Sequence, residues 1–432
     1  MTQSIFAQEQ EIIMSGLQSI ALLSKLEIDY AKGVYIYDLQ GKDYLDFFGG
    51  VGVCSIGHSH PHYIEAMQLQ LSRSVIGSFT TKTRLNYLNL LRSTLPHVLD
   101  RIQFYSGGAE AVEAAIRLAR SYTGRTEIIG FWGGYHGKSM QTLAFANKAI
   151  KNGYPPTISA TYSAPYADCF HCPMGHSYST CNLHCVHFLE QFIDENSYDN
   201  VAAVIIEPIQ GTAGNIVPPP EFLPLVYEVT QKKGALLILD EMITGFGRTG
   251  HMFGMNRYDF LPDIAVFGKG IASGFPLTAL VARDEITTAG AFGQPSGSSS
   301  SYGGNPLACA AGLATLEVIL NEKLVENSRA IGLQMIERLI CMKKKYPFIG
   351  HVQGEGLMIG VEFIDPKSNL PLSTGIMTRF FNMCLQQGLL VMAYKSRVRI
   401  YPPLCISSID AMKGLDIFEH SIASLEQEIS RH

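Results

Sequence analysis

A lysine between glycines, Gly268-Lys269-Gly270, follows the apolar run at 264–267. An acidic pair, Asp240-Glu241, closes an earlier apolar run at 235–239. A lysine amine attacks a carbonyl only when neutral, and burial shifts its pKa readily. Both positions suit the carboxyl ends of strands in an open α/β sheet, where such sheets bind ligands. One cofactor needs both groups. Pyridoxal phosphate (PLP) takes an imine on a lysine and an acid beside its ring nitrogen. Lys269 is then the candidate imine former and Asp240 the partner of the ring nitrogen. The plainer alternative is a surface lysine in a turn and an acidic helix cap.

Three more segments could serve the same site. Ser106-Gly107-Gly108-Ala109-Glu110-Ala111 follows an apolar run and opens a helical one. Small residues there leave backbone N–H groups for a phosphate, aided by the helix dipole. Its spacing is not that of a dinucleotide site. Phe131-Trp132-Gly133-Gly134-Tyr135-His136-Gly137 brings aromatic rings that could stack on a planar cofactor. Glu207-Pro208-Ile209-Gln210-Gly211 ends another apolar run with polar groups.

These segments need a frame. Strands are expected at 102–105, 128–131, 203–206, 235–239, 264–267 and 279–281, with a helix at 109–120 that turns Ala111, Ala115, Leu118 and Ala119 to one side. Near-continuous apolar strands between helices imply a mostly parallel sheet covered on both faces. A short hairpin is expected at 33–47, and Pro306 opens an Ala-rich helix. Beyond about residue 330 the pattern changes to a smaller α+β mixture, with strands near 357–363, 388–392 and 398–400.

The 432 residues suffice for two or three domains, and 47% apolar content for a large core. A net charge of −5 without like-charge blocks argues against nucleic acid or an anionic membrane as partner. No apolar run has membrane-spanning length, and the first ten residues do not read as a signal peptide. A cytoplasmic protein is expected, its nine cysteines thiols or ligands rather than disulfides. Cys54, Cys309, Cys341, Cys384 and Cys405 sit in apolar surroundings and read as core residues.

Taken in order, these motifs resemble the class III aminotransferases of PLP fold type I, the ornithine and 4-aminobutyrate type. The resemblance runs from Asp46-Phe47 to Arg399-Ile400-Tyr401-Pro402-Pro403-Leu404. It is most specific at Asp240-Glu241-Met242-Ile243-Thr244-Gly245-Phe246-Gly247-Arg248-Thr249-Gly250 and Gly268-Lys269. It implies an α/β fold: a large domain at 46–315 with a mostly parallel, seven-stranded-type sheet, and a small domain at 316–432 joined by the N-terminal segment 1–45. It also implies a homodimer with shared active sites.

By position, Lys269 is the Schiff-base lysine and proton shuttle, and Asp240 pairs with the pyridinium nitrogen. Tyr135 stacks on the ring, Gly108 and Ala109 bind the phosphate through backbone N–H groups, and Ser301 reaches the phosphate of the neighbouring subunit. Gly107, His136, Glu207 and Ile243 complete the cofactor set; Ile243 stands where glutamine is often found. Arg399 falls at the family's carboxylate-binding arginine, and Val51 faces substrate. Thr212 stands where ω-amino-acid enzymes commonly carry a glutamate that masks this arginine. The implied activity is a ping-pong transfer of an amino group from an amino acid or amine to a 2-oxo acid. Racemisation or epimerisation on the same fold is the alternative, with dialkylglycine-type decarboxylation behind it.

One segment lies outside this set. Cys169, Cys172, Cys181 and Cys185 form C-x2-C-x8-C-x3-C within a polar insert at 166–188, interleaved with His171, His176, His184 and His187. Four soft ligands make an inventory for structural zinc or an iron–sulfur cluster; free thiols are the alternative. His58 and His60 read as part of a loop rather than as metal ligands.

Overall fold

The computed structural model describes residues 3–154 and 158–430; Met1 and Thr2 of the N-terminal lead lie outside them. The chain forms two compact units, Pro61–Glu326, and Met1–His60 together with Asn327–His432.

The unit Pro61–Glu326 is built on a seven-stranded sheet. Its strands run, in spatial order, Arg101–Tyr105, Thr278–Ala282, Ile264–Phe267, Leu236–Asp240, Val201–Ile206, Glu127–Phe131 and Thr161–Ala164. Thr278–Ala282 is antiparallel to both neighbours, and the remaining pairs are parallel. Every expected strand is present, most of them longer by a residue or two. Thr161–Ala164 has no apolar run to announce it, because it is an edge strand with only one buried residue, Ala164. The interior strands are buried at every position, as a sheet with both faces covered requires.

Helix Gly108–Thr123 supplies part of that cover. Ala111, Ala115, Leu118 and Ala119 turn inward and pack with Ile205, Ile238, Ile264 and Val266. Each fully buried aliphatic side chain contributes about 1.5–3 kcal/mol. Pro306 opens helix Pro306–Asn321, and Asn305 Oδ1 accepts from Ala308 N at 3.0 Å to cap it.

The other unit holds two small sheets. Ile28–Lys32, Tyr35–Asp38 and Asp43–Asp46 form an antiparallel meander, joined in parallel by Leu389–Leu390. Ile349–Glu355, Met358–Phe363 and Arg397–Ile400 form the second, antiparallel throughout. The compact units change at 60/61 and 326/327, against expected boundaries at 45/46 and 315/316. The N-terminal difference has a local cause. Tyr401 N donates to Phe47 O and Leu404 N to Ser55 O, both at 2.8 Å, which ties the glycine-rich loop after Asp46 to the C-terminal segment. His58 closes this loop. Its Nε2 lies 2.9 Å from Asp46 Oδ2.

Among the described residues no cysteine is disulfide-bonded. Cys54, Cys309 and Cys384 are buried and Cys405 partly so, but Cys341 is exposed. On helix Leu324–Lys345 it is Leu339 and Met342 that turn inward, which leaves Cys341 to solvent. Among the described residues no helix is long and apolar enough to cross a membrane.

Candidate active site

The parallel ladder sets the geometry. Asp240 ends its strand and pairs with Val266 on the next one, so Lys269 lies three residues beyond the same rung. Two groups far apart in sequence thus emerge at one sheet edge. Lys269 is half-buried and holds a left-handed backbone, φ 46°. That conformation costs a side-chain-bearing residue roughly 1–2 kcal/mol, and such strain clusters at functional positions.

Asp240 is buried and fully engaged within the fold. Its Oδ2 lies 2.7 Å from His136 Nδ1, and its Oδ1 accepts from Met242 N at 3.0 Å. The two side chains of the His136–Asp240 pair are 1% and 2% exposed. Burial acts to lower the His136 pKa, but the Asp240 hydrogen bond and the charges of Asp240 and Glu207 outweigh it. The net shift is upward, towards the imidazolium. Glu207 is buried beside this pair. Burial first, then the Asp240 charge, push its carboxyl up to about 7, while His136 and two backbone donors act in the opposite sense. Those donors are Tyr135 N at 2.9 Å on Oε1 and Gly211 N at 3.0 Å on Oε2.

Asp240 and Glu241 are adjacent yet do different work. Glu241 points away from this pair and organises the glycine-rich turn. Its Oε2 accepts from Thr244 Oγ1 at 2.5 Å and Gly254 N at 2.8 Å, and its Oε1 from Met255 N at 2.6 Å. Phe246, Phe253 and Phe267 pack edge-on beneath that turn, with centroids 4.9–5.8 Å apart.

Gly107 and Tyr135 follow two further strands of the same sheet, Arg101–Tyr105 and Glu127–Phe131. Gly107 precedes helix Gly108–Thr123, whose first N–H groups have no intrahelical acceptor. Glu110 steadies the turn from within, its Oε2 accepting from Ser106 N at 3.0 Å. The aromatic turn reaches this helix start: a Cβ on Gly137 would lie 2.6 Å from that of Ala109. Tyr135 is half-buried and Ile243 buried, whereas Ser301 is exposed. Arg399 and Val51 belong to the other unit. Arg399 is half-buried in strand Arg397–Ile400 and hydrogen-bonds the Tyr394 side chain. Val51 holds φ 67° and ψ 47°, in an unbroken left-handed run from Gly49 to Gly52.

One contributor was not anticipated. Met242 lies between the helix start and the lysine. A Cβ on Gly108 would come 3.4 Å from its Sδ, and one on Gly268 only 2.4 Å. The two glycines thus leave room for a flexible thioether to pack against the backbone, and a methionine between the acidic pair and the glycine-rich turn gave no chemical signal of this. The set fits PLP: an amine and a buried carboxylate paired to a cation at one sheet edge, with a half-buried aromatic residue and a helix N-terminus following strands of the same sheet.

The cysteine insert gives a different result from the zinc or iron–sulfur expectation. Cys169, Cys172, Cys181 and Cys185 line one cavity of about 10 Å³ with His176 and His184. Yet among the described residues no group of three or more His, Cys, Asp or Glu side chains is arranged to hold a metal ion. Burial, followed by the neighbouring thiols, pushes Cys169 up to about 12 and Cys185 up to about 11.

Known proteins share this arrangement across nearly the whole chain. The sequence profile of the class-III aminotransferases matches residues 21–422. Acetylornithine aminotransferase of Methanothermobacter thermautotrophicus is 34% identical over 92% of this chain and 94% of its own length. A probable 4-aminobutyrate aminotransferase of Bacillus subtilis is 33% identical over 90% and 91%. The crystal structure of an amine transaminase from an uncultivated Pseudomonas species, in a PLP-bound form, superposes with a TM-score of 0.89. It is 30% identical, covering 96% of this chain and 98% of that one. These relatives lend no support to the racemase and decarboxylase alternatives. Fold, site and relatives agree: this chain belongs to the class-III aminotransferase family.

Proposed function

We propose that this aminotransferase carries out two half-reactions at the Lys269 site, taking an amino group from an amino acid or amine and delivering it to a 2-oxo acid. The observation that carries the reading is the buried His136–Asp240 pair, 2.7 Å apart, one strand away from the run that leads into Lys269. Bound PLP would supply an aldehyde that takes an amine as an imine, and a ring that accepts the electron pair released at the substrate Cα.

Everything else falls to the chain. Lys269 Nζ holds the cofactor between turnovers. When the substrate amine displaces it, it takes the proton from Cα and hands it on. Asp240, its charge stabilised by His136, keeps a proton on the ring nitrogen. Tyr135 covers one face of the ring, while Met242 lies on the side of Gly108 and Gly268. The N–H groups of Gly108 and Ala109 receive the phosphate. Arg399 takes the substrate α-carboxylate through its planar fork. With Thr212 rather than a glutamate after Gly211, no acid at that position masks the arginine.

We further propose a homodimer in which Ser301 reaches the phosphate of the neighbouring subunit. Ile64, Leu69, Leu71, Val75, Ile76 and Phe79 are 40–71% exposed along one stretch, an apolar surface that a second copy would cover. Sedimentation at micromolar concentration would give twice the 47.4 kDa chain mass. The absence of disulfides among the described residues suits a reducing compartment, and we place the protein in the cytoplasm.

The deciding experiment is a donor panel in deuterated water, with and without 2-oxoglutarate or pyruvate, read by chiral chromatography. Amino transfer that requires the oxo acid is the expected result. Inversion at Cα without any oxo acid would overturn it. Borohydride reduction followed by peptide mapping should attach the cofactor at Lys269, and Arg399→Ala should weaken carboxylate substrates at least about tenfold, the loss of one charge-assisted fork.

A further inference from the structure

Glu207-Pro208-Ile209-Gln210-Gly211 ends the strand Val201–Ile206 beside the site, yet its polar side chains are occupied by protein backbone. Glu207 and Gln210 are 6% and 2% exposed. Both carboxylate oxygens of Glu207 accept from backbone, Oε1 from Tyr135 N and Oε2 from Gly211 N. Gln210 grips the same aromatic turn at its other end, where its Nε2 donates to Trp132 O at 2.9 Å.

Gln210 is itself fixed. It exchanges two backbone hydrogen bonds with Ile216, at 3.1 and 3.0 Å. The fit is close: Gly133 holds φ +82°, and a Cβ on it would lie 2.7 Å from Gln210 Oε1. Behind this turn Tyr166 OH donates to the carbonyls of Glu207 and Pro208, at 3.2 Å each, so the gripping segment is anchored too.

We propose that Glu207 and Gln210 are positioning residues: a two-point clamp that fixes the turn at 132–135, and thereby the ring of Tyr135 and the reach of His136 to Asp240. The consequence for the cofactor rests on the reading of the Asp240–Lys269 edge as a PLP site; the clamp itself does not. While ionised, above pH about 7, the Glu207 carboxylate makes charge-assisted bonds to these buried N–H groups about twice as strong as neutral ones, and the variants are compared there. Its removal frees the Tyr135 end of a turn whose other end is also held by Trp132, which donates from N to Ala164 O at 2.8 Å and from Nε1 to Ser163 O at 3.0 Å. His136 follows Tyr135 directly, so slack at the Tyr135 amide is passed to the 2.7 Å contact with Asp240.

The test uses full-length apo-protein, wild type and two variants, Glu207→Gln and Gln210→Glu. The first removes one acceptor and sets an amide NH2 against a backbone donor. The second removes the donor to Trp132 O. Hydrogen exchange is followed on the peptide covering 131–137, and PLP affinity is measured by absorbance titration. Glu207→Gln should speed exchange at Tyr135 about tenfold or more and weaken PLP about tenfold, the scale of one lost charge-assisted hydrogen bond. Gln210→Glu should act in the same direction by about three- to fivefold. Exchange within about twofold of wild type in both variants would overturn the clamp. Faster exchange with unchanged PLP affinity would overturn its service to the cofactor. If Glu207→Gln does not fold, Gln210→Glu decides the clamp on the same two readouts. Wild-type protein that fails to bind PLP would sink the reading of the site, while the exchange data would still decide the clamp.

Discussion

His136 Nδ1 lies 2.7 Å from Asp240 Oδ2, and water is kept from both side chains. The two residues are 104 positions apart in the chain and meet only because the turns after two parallel strands of one sheet emerge at the same edge. In the role proposed for Asp240, a buried carboxylate holding a proton on a cofactor ring needs its own charge supported. An imidazolium at this distance supplies that support at low local dielectric.

Removing the anion should expose this dependence. Asp240→Ala is expected to cost the apo-protein about 3–5 kcal/mol, the usual penalty for stranding one partner of a buried pair. The sign with pH follows from the raised His136 pKa. A raised folded value means the pair's contribution is complete below the ordinary histidine value of about 6.5 and is lost as pH rises through the folded value. Urea unfolding of both proteins at pH 6 and pH 9 should therefore show the larger penalty at pH 6; an equal penalty at both would count against a charged His136.

Glu241 should behave as a structural acid. Glu241→Ala strands Gly254 N, Met255 N and Thr244 Oγ1 in a buried turn, and is expected to cost about 3–5 kcal/mol in denaturant unfolding. Glu241→Gln should cost less, since the amide oxygen still accepts. Its folded fraction should keep near wild-type PLP affinity, which separates it from Asp240 variants.

Gly268 tests the packing beside the lysine. A methyl group added there would fall 2.4 Å from Met242 Sδ, the far part of a flexible side chain. Gly268→Ala is therefore expected to fold with a melting temperature close to that of wild type, by displacing the Met242 side chain. PLP affinity should fall at least about tenfold, since even modest overpacking costs 1–3 kcal/mol. Unchanged PLP affinity by absorbance titration would show that Met242 does not border the cofactor.

Val51 sits in a conformation that β-branched side chains avoid, φ 67° and ψ 47°. Val51→Gly relieves roughly 1–2 kcal/mol of backbone strain and adds roughly 0.5–1 kcal/mol of chain entropy to the unfolded state. The expected net gain in stability is about 0.5–1 kcal/mol, read from denaturant midpoints. If the valine is kept for substrate, kcat/KM for the preferred donor should fall about tenfold or more in the same variant.

The sequence by itself determined the chemistry. Lys269 between glycines and Asp240 at the end of an apolar run name the cofactor by residue type, and local hydrophobic pattern places most strands of the large sheet. Such patterns record burial along the chain, so they survive without knowledge of partners. Only the tertiary structure decided the rest, because it depends on which segments lie side by side. Thr278–Ala282 runs antiparallel between Arg101–Tyr105 and Ile264–Phe267, and no periodicity encodes direction. The neighbours Asp240 and Glu241 divide between the His136 pair and the turn, since a residue ending a strand and its successor face different surroundings. Cys341 reads as a core residue by composition but lies on the wet side of its helix. Four cysteines in a close-spaced motif gather around one cavity without the arrangement a metal demands, because ligand geometry is a property of space rather than spacing.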